Sequence, residues 1–382
     1  MSNLRRAVIS LIIAFLLFTL LPLPGRTDDW EDGETAYTVT LADGSALFEI
    51  GGAVYAGDQY IAADNRLYQV TAVDERRRTA QAEPQGEEEM PDVSWLSRDE
   101  ALAVYAATQK KLVALYATHS DESYVPSDGT ASSPQRGGIF DVAEGLQAAL
   151  EAKGVDVVLD ESTHHPHDAG AYRRSRQTAT KLAQRQPDAL IDVHRDGIPS
   201  AAQYNDTIDG EQVTKVRLLV GRSNQNGAAN RDFAKQIKAV ADKAYPGLVK
   251  DIFIGKGSYN QELLPHAILL EFGTHTTSKE RAVRSTTMMA DVLDKALYGQ
   301  VSSAAKDTSQ GAGNQAAEGQ GAQQSNAGSG SGIIWLLVIA AVGILAFAFL
   351  STGTGKAMRE KLMRNTSEIT GGLLGKKPPD KK

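Results

Sequence analysis

The sequence predicts an α/β domain around a mainly parallel central sheet with helices on both faces. Three observations carry this prediction. Strand-like and helix-like segments alternate from residue 101 to residue 300. The helix-like segments include clear amphipathic stretches, as expected of helices packed on a sheet. Apolar residues at 42% and charged residues at 23% are the proportions of a globular protein. In chain order, KLVALYA reads as a strand, GGIFDVAEGLQAALEAKG as a helix, VDVVLD as a strand and AYRRSRQTATKLAQR as a helix. ALIDVH and KVRLLVG read as strands, NRDFAKQIKAVADKAY as a helix, HAILLEFG as a strand and SKERAVRSTTMMADVLDKAL as a helix. Sheets of this kind gather functional groups at the carboxyl ends of their strands.

Shorter alternating runs come before this domain. AYTVTLA, ALFEIG and YIAADNRLYQVTAV lie between Gly- and Asp-containing turns, which predicts a small β module over residues 28–75. The charged stretch over 76–100, with its EEE run, reads as a linker. Residues 301–332 are rich in Gly, Ser, Gln and Ala, too poor in large apolar side chains to pack, and read as a flexible tether.

Two apolar runs flank the whole. Residues 7–22 follow Arg5 and Arg6 directly, the charge-then-hydrophobe order of a signal peptide or signal anchor over 1–27. Residues 333–350 would form a helix about 27 Å long, close to the hydrocarbon thickness of a bilayer. Basic residues follow over 351–382, so the positive-inside tendency puts that tail in the cytoplasm. The expected arrangement is a chain at the cell membrane, flanked by two membrane segments, with its main domain outside the cytoplasm.

A formal charge of −7 gives no general pull toward nucleic acid. With no cysteine, disulfides, thiolate nucleophiles and cysteine-based metal sites are excluded. Any metal must be held by histidine and carboxylate. Three predicted strands supply such groups at their ends: His119 and Glu122 after KLVALYA, His194 after ALIDV, and Glu271 in HAILLEFG. Two histidines and a carboxylate are the ligands of catalytic zinc sites that keep a fourth position for water, and a further glutamate can serve as base. The expected assignment is His119, Glu122 and His194 on Zn²⁺, with Glu271 as general base.

A denser cluster, STHHPHDAGAYRRSR, holds His164, His165, His167 and Asp168. Several histidines so close together could form a second metal site, but Pro166 in their midst and the lack of a distant partner favour a loop at the rim of the cleft, with Asp168 near the start of the next helix, where a carboxylate can cap free N–H groups. Arg176 either faces a substrate carboxylate or lies in a solvated ion pair.

ATHSDESY, HDAGAYRRSRQTA, ALIDVHRD, VGRSNQN, SYNQELLP and AILLEFG, in that order over residues 105–298, resemble the stage II sporulation protein P family of endospore-forming bacteria. The resemblance implies a zinc amidase/carboxypeptidase-like fold. It also implies an N-acetylmuramoyl-L-alanine amidase that cuts peptidoglycan at the septum and during engulfment, with endopeptidase action on peptide cross-links. His119 and His194 fall on the family's essential histidines, and Glu271 falls on its catalytic glutamate. Arg176, Arg195 in ALIDVHRD and Asn260 in SYNQELLP are the substrate-binding candidates. Stage II sporulation proteins D and M are the implied partners. Cell-wall amidases commonly place the second metal ligand further along the chain, which makes Glu144 the rival of Glu122. A zinc carboxypeptidase or endopeptidase of stem peptides, and a non-catalytic wall-binding anchor, are the alternative readings.

Overall fold

A computed structural model describes residues 36–97, 110–168 and 170–310, with side chains described as far as Gly299. The strand β6 (Leu112–Tyr116) is buried at every position, as are β8 (Ala189–Asp196), β11 (Val216–Gly221) and β13 (Ala267–Thr274). A strand with no wet face must lie inside a sheet covered on both sides. Val113, Ile191, Leu218 and Leu270 point to one side. There they join Phe140 and Leu146 of α1 (Ile139–Glu151), Ile237 of α3 (Gly227–Ala244) and Met289 and Leu293 of α4 (Lys279–Gln310). On the other side, Ala114, Tyr116 and Leu190 meet Ala179 and Leu182 of α2 (Ala171–Ala183). Helices thus cover both faces.

The remaining strands are β1 (Tyr37–Thr40), β2 (Ala46–Ile50), β3 (Gln59–Ile61), β4 (Arg66–Asp74), β5 (Thr79–Glu87), β7 (Asp156–Asp160), β9 (Asn205–Ile208), β10 (Glu211–Thr214) and β12 (Val249–Gly255). Among the described residues, eleven strands form one sheet in the order β2-β1-β5-β4-β3-β12-β11-β13-β8-β6-β7, with β9 and β10 as a separate hairpin.

This sheet is mixed, which corrects the expectation of a mainly parallel one. Strands β7, β6, β8 and β13 run parallel, but β11 and β12 run against β13, and β3, β4 and β5 pair antiparallel. The reason lies in the connection after β8. A parallel return needs a crossover, usually a helix. Between Asp196 and Val216 the chain forms the β9–β10 hairpin and no α-helix, so β11 leaves from the end where β8 stopped and runs the opposite way.

The N-terminal strands belong to the same sheet, because β3 pairs with β12 through Tyr60 and Phe253. β5 occupies part of the stretch read as a linker, between β1 and β4. The charged run survives as a strand because only Ala80 and Ala82 turn inward. Val39, Phe48, Ile50 and Tyr68 pack on Leu219, Phe253 and Leu269, on the face that α2 also covers. The two apolar runs at 7–22 and 333–350 lie outside the described residues, and no helix among the described residues is long and apolar enough to cross a membrane. A fold flanked by two membrane segments therefore finds no support in the structure.

Buried charge ties β11 to its neighbours. Asp251 on β12 accepts from Nε and Nη2 of Arg217 at 2.7 and 3.0 Å, and from Lys250 Nζ at 2.9 Å. Burial alone would raise the Asp251 carboxyl, but the charges of Arg217 and Lys250 hold it well below its ordinary value of 3.8. A carboxyl depressed by folding adds stability above its unfolded pKa and loses it as the pH falls below that value. Thermal melts are expected to show a midpoint falling from about pH 4 downward, with a shallower fall in Asp251→Asn.

Candidate metal centre

The site starts where β6 runs out. Thr118 is held to β8 by two bonds to Asp192: its N–H donates to Oδ1 at 2.8 Å and its hydroxyl to Oδ2 at 2.6 Å. The next residues make a tight turn, closed by the Glu122 N–H donating to His119 O at 3.0 Å. That turn brings the side chains at positions 119 and 122 to one point. β8, paired parallel to β6, carries His194 to the same end of the sheet.

The three side chains converge on a single carboxylate oxygen. Glu122 Oε1 lies 3.2 Å from His119 Nδ1 and 3.3 Å from His194 Nδ1, and Oε2 accepts from the Arg195 N–H at 2.9 Å. All three are buried, and one donor atom of each lies within 4.8 Å of the others. Ligands about 2.1 Å from a tetrahedral zinc lie about 3.4 Å from one another, so the nitrogen–oxygen separations are those of adjacent zinc ligands.

The electrostatics favour the same occupant. Burial works to lower the His194 pKa, but Asp192 and Glu122 raise it well above the ordinary histidine range. Burial works to raise the Glu122 carboxyl, but His194 and Arg195 bring it below its ordinary value. The surrounding carboxylates thus favour a positive charge at this point. The far nitrogen of His194, Nε2, sits 2.9 Å from Asp192 Oδ1. At that distance the negative charge of Asp192 favours the protonated ring and raises its basicity.

Glu271 completes the set of expected groups. On β13 it is the register partner of His194 on one side and of Arg217 on the other, and it is fully buried. Directly paired residues on neighbouring strands share a sheet face. The sheet therefore delivers Glu271 and His194 side by side.

A family model described as stage II sporulation protein P (SpoIIP) matches residues 48–294. The chain belongs to this family. The SpoIIP match takes in His119, Glu122, His194 and Glu271, and it begins within β2, so it includes most of the N-terminal strands. Stage II sporulation protein P of Bacillus subtilis (strain 168) is 28% identical over 206 residues, or 49% of this chain and 51% of that protein. The chain thus spans about half the length of the curated relative it matches. Among solved structures it is similar to N-acetylmuramoyl-L-alanine amidase AmiC2 of Nostoc punctiforme, at 15% identity and a TM-score of 0.34, over 50% of this chain and 98% of that one. It is also similar to the CwlD amidase from Clostridioides difficile in complex with the GerS lipoprotein, at 12% identity and a TM-score of 0.34, over 51% and 99% of the two chains. The catalytic domain of CwlV, from Bacillus (Paenibacillus) polymyxa var. colistinus, is similar at 17% identity and a TM-score of 0.32, over 49% and 98%.

Other candidates in this SpoIIP chain sit further out or take other work. Glu144 is exposed on α1 and pairs with Arg136, away from the histidines. Arg176 is half exposed and ion-paired with Glu262, with Asn260 Oδ1 at 3.4 Å. Asn260 is buried and donates to Tyr172 O and Ser175 Oγ, both at 3.1 Å. Arg195 is buried and donates to the backbone carbonyls of Ser123, Asp196 and Ala131 at 3.1, 3.2 and 3.0 Å. Arg195 and Asn260 thus brace the loops around the site, and Arg176 lies in an ion pair.

The structure also adds residues that sequence reasoning missed. Asp192 stands two positions before His194, the spacing that puts both on one face of a strand. The signal was there, but it reads equally well as an ordinary buried aspartate. His167, placed at the rim from sequence, stacks its ring on His119 at a centroid distance of 4.0 Å, with Nδ1 3.4 Å from Asp121 Oδ1. Tyr172 meets both histidine rings, edge-on to His119 at 5.5 Å and parallel to His194 at 6.4 Å. His164 is buried in another setting, with its nitrogens 2.8 Å from Ala117 O and 2.9 Å from Thr178 Oγ1. Asp168 receives an N–H just before α2, from Gly170 at 2.8 Å, and no side chain caps the helix itself.

Asp192→Asn is expected to weaken zinc binding about 10- to 100-fold, the usual cost of losing a carboxylate behind a ligating histidine. Competition with a chromophoric chelator on the folded variant measures it.

Proposed function

We propose that this chain is a zinc-dependent peptidoglycan hydrolase that cleaves the amide bond between N-acetylmuramic acid and L-alanine. The observation that carries the reading is the convergence of His119, Glu122 and His194 at zinc-ligand separations, with Glu271 in register beside His194. Membership of the SpoIIP family supports the wall as substrate. When bound, Zn²⁺ would acidify a water and polarise the amide carbonyl. His119, Glu122 and His194 would hold it, and Asp192 would orient His194. The Glu271 carboxylate would take a proton from the attacking water and pass it to the leaving nitrogen of L-alanine.

The sporulation family also suggests wall thinning at the septum and engulfment as the setting, and cleavage of peptide cross-links as a second activity. We propose stage II sporulation proteins D and M as partners on the same ground. We place the enzyme outside the cytoplasm at the cell membrane, where peptidoglycan lies.

The purified full chain is expected to release glycan strands free of stem peptide, to stop when treated with a chelator and to resume on addition of Zn²⁺. Mass analysis of the digest decides between readings. Glycan that keeps its peptides while free amino acids or shortened peptides appear would replace the amidase by a carboxypeptidase or endopeptidase, and no products at all would favour a wall-binding anchor.

Glu271→Gln is expected to lower kcat about 10²- to 10⁴-fold while the protein keeps its zinc, as loss of a general base does. Full turnover in the folded, metal-loaded variant would remove Glu271 from that role.

A further inference from the structure

Arg217 is a fully buried guanidinium next to the proposed active site, and the chemistry described above does not use it. Its register partners are Asp251 on β12 and Glu271 on β13. It bonds Asp251 through Nε and Nη2, while Nη1 reaches Asp196 Oδ2 at 2.9 Å. Asp196 belongs to β8, and β13 lies between β8 and β11 in the sheet. The Arg217–Asp196 pair must therefore pass over β13. Asp196 pairs with Thr274, and the register of β13 against β8 shifts between Glu271 and Thr274. The pair thus straps β13 where its register breaks, just beyond Glu271.

The strap is built from several parts of the chain. Tyr204 donates its hydroxyl to Asp196 Oδ2 at 2.7 Å, and the Gly51 N–H donates to Asp196 Oδ1 at 2.8 Å. Phe48 places its ring 5.7 Å from the Arg217 guanidinium carbon. A side chain at position 51 would come within 2.4 Å of the Gly197 backbone, so only glycine allows this approach. Two cations, Arg217 and Lys250, balance two anions, Asp196 and Asp251, with none of the four side chains more than 11% exposed. Charges buried this deeply are an expensive way to obtain stability alone, since apolar residues of similar volume often do as well.

We infer that Arg217 is a positioning residue: strapped across β13 to Asp196 and covered by the N-terminal strands, it holds Glu271 beside His194. The inference rests on the proposed role of Glu271 as base. A loosened Glu271 would still leave the metal ligands and the substrate contacts in place, so the defect falls on turnover.

The test compares the full wild-type chain with Arg217→Lys, which keeps a charge but cannot bond two carboxylates in a fork. Three quantities are read: kcat and KM on soluble glycan strands carrying stem peptides, zinc affinity by chelator competition, and amide hydrogen exchange across residues 267–274 by mass spectrometry. The expected result is kcat lower by about tenfold or more, KM and zinc affinity within about twofold, and exchange across 267–274 faster by about tenfold. Wild-type kcat, or wild-type exchange over that segment, in folded Arg217→Lys overturns the inference. So does an equal loss of zinc affinity, which a general collapse of the site would give. If Arg217→Lys does not fold, Tyr204→Phe carries the test, since it removes one bond to Asp196 and no charge. About a threefold fall in kcat with faster exchange is then expected, and unchanged values overturn the inference. If the wild-type chain releases no peptide-free glycan, the proposed function fails, while the exchange comparison still decides whether Arg217 holds β13.

Discussion

The Glu122 carboxylate is the constraint around which the rest of the site is arranged. Two imidazoles face one of its oxygens and the Arg195 backbone N–H faces the other, all out of contact with solvent. Polar groups buried this way are tolerable only when each is matched. The ladder between β6 and β8, reinforced by Thr118 on Asp192, and the turn from His119 to Glu122 bring these groups together. The surrounding carboxylates favour a positive charge there.

A second layer of organisation comes from strand direction. Because no helix separates β8 from β11, β11 runs antiparallel to β13, and Arg217 comes to rest opposite Glu271. A parallel arrangement would need a crossover, and another residue would face Glu271. The N-terminal strands then extend the sheet beyond β12, covering an edge that would otherwise expose unpaired backbone groups. They also fold over the face that holds the site, where Gly51 and Phe48 reach Asp196 and Arg217. The N-terminal strands thereby brace residues around the candidate site.

Much of the α/β domain was legible in the sequence. Runs such as LVALY, ALIDVH and AILLEF are apolar enough to declare buried strands, and the segment beginning IFDVAEGLQAALE shows the period of a surface helix. β12 escaped notice because Lys250 and Asp251 interrupt its apolar run, and only the burial of Asp251 against Arg217 explains how such a strand stays inside. β5 escaped for a similar reason: a row of polar residues forms a strand when alternate small side chains can turn inward.

The sequence by itself limited the possible donors to histidine and carboxylate. With no cysteine, a metal could be held only by histidine and carboxylate, and His119, Glu122, His194 and Glu271 stood at the ends of recognisable strands. Tertiary structure alone brought Glu122 to the two histidines and turned Glu144 toward Arg136 and solvent. It alone also revealed Asp192 behind His194, His167 stacked on His119, and Arg217 strapped across β13. These are contacts between segments tens of residues apart. A sequence shows which groups a strand carries, while the register between strands decides which of them meet.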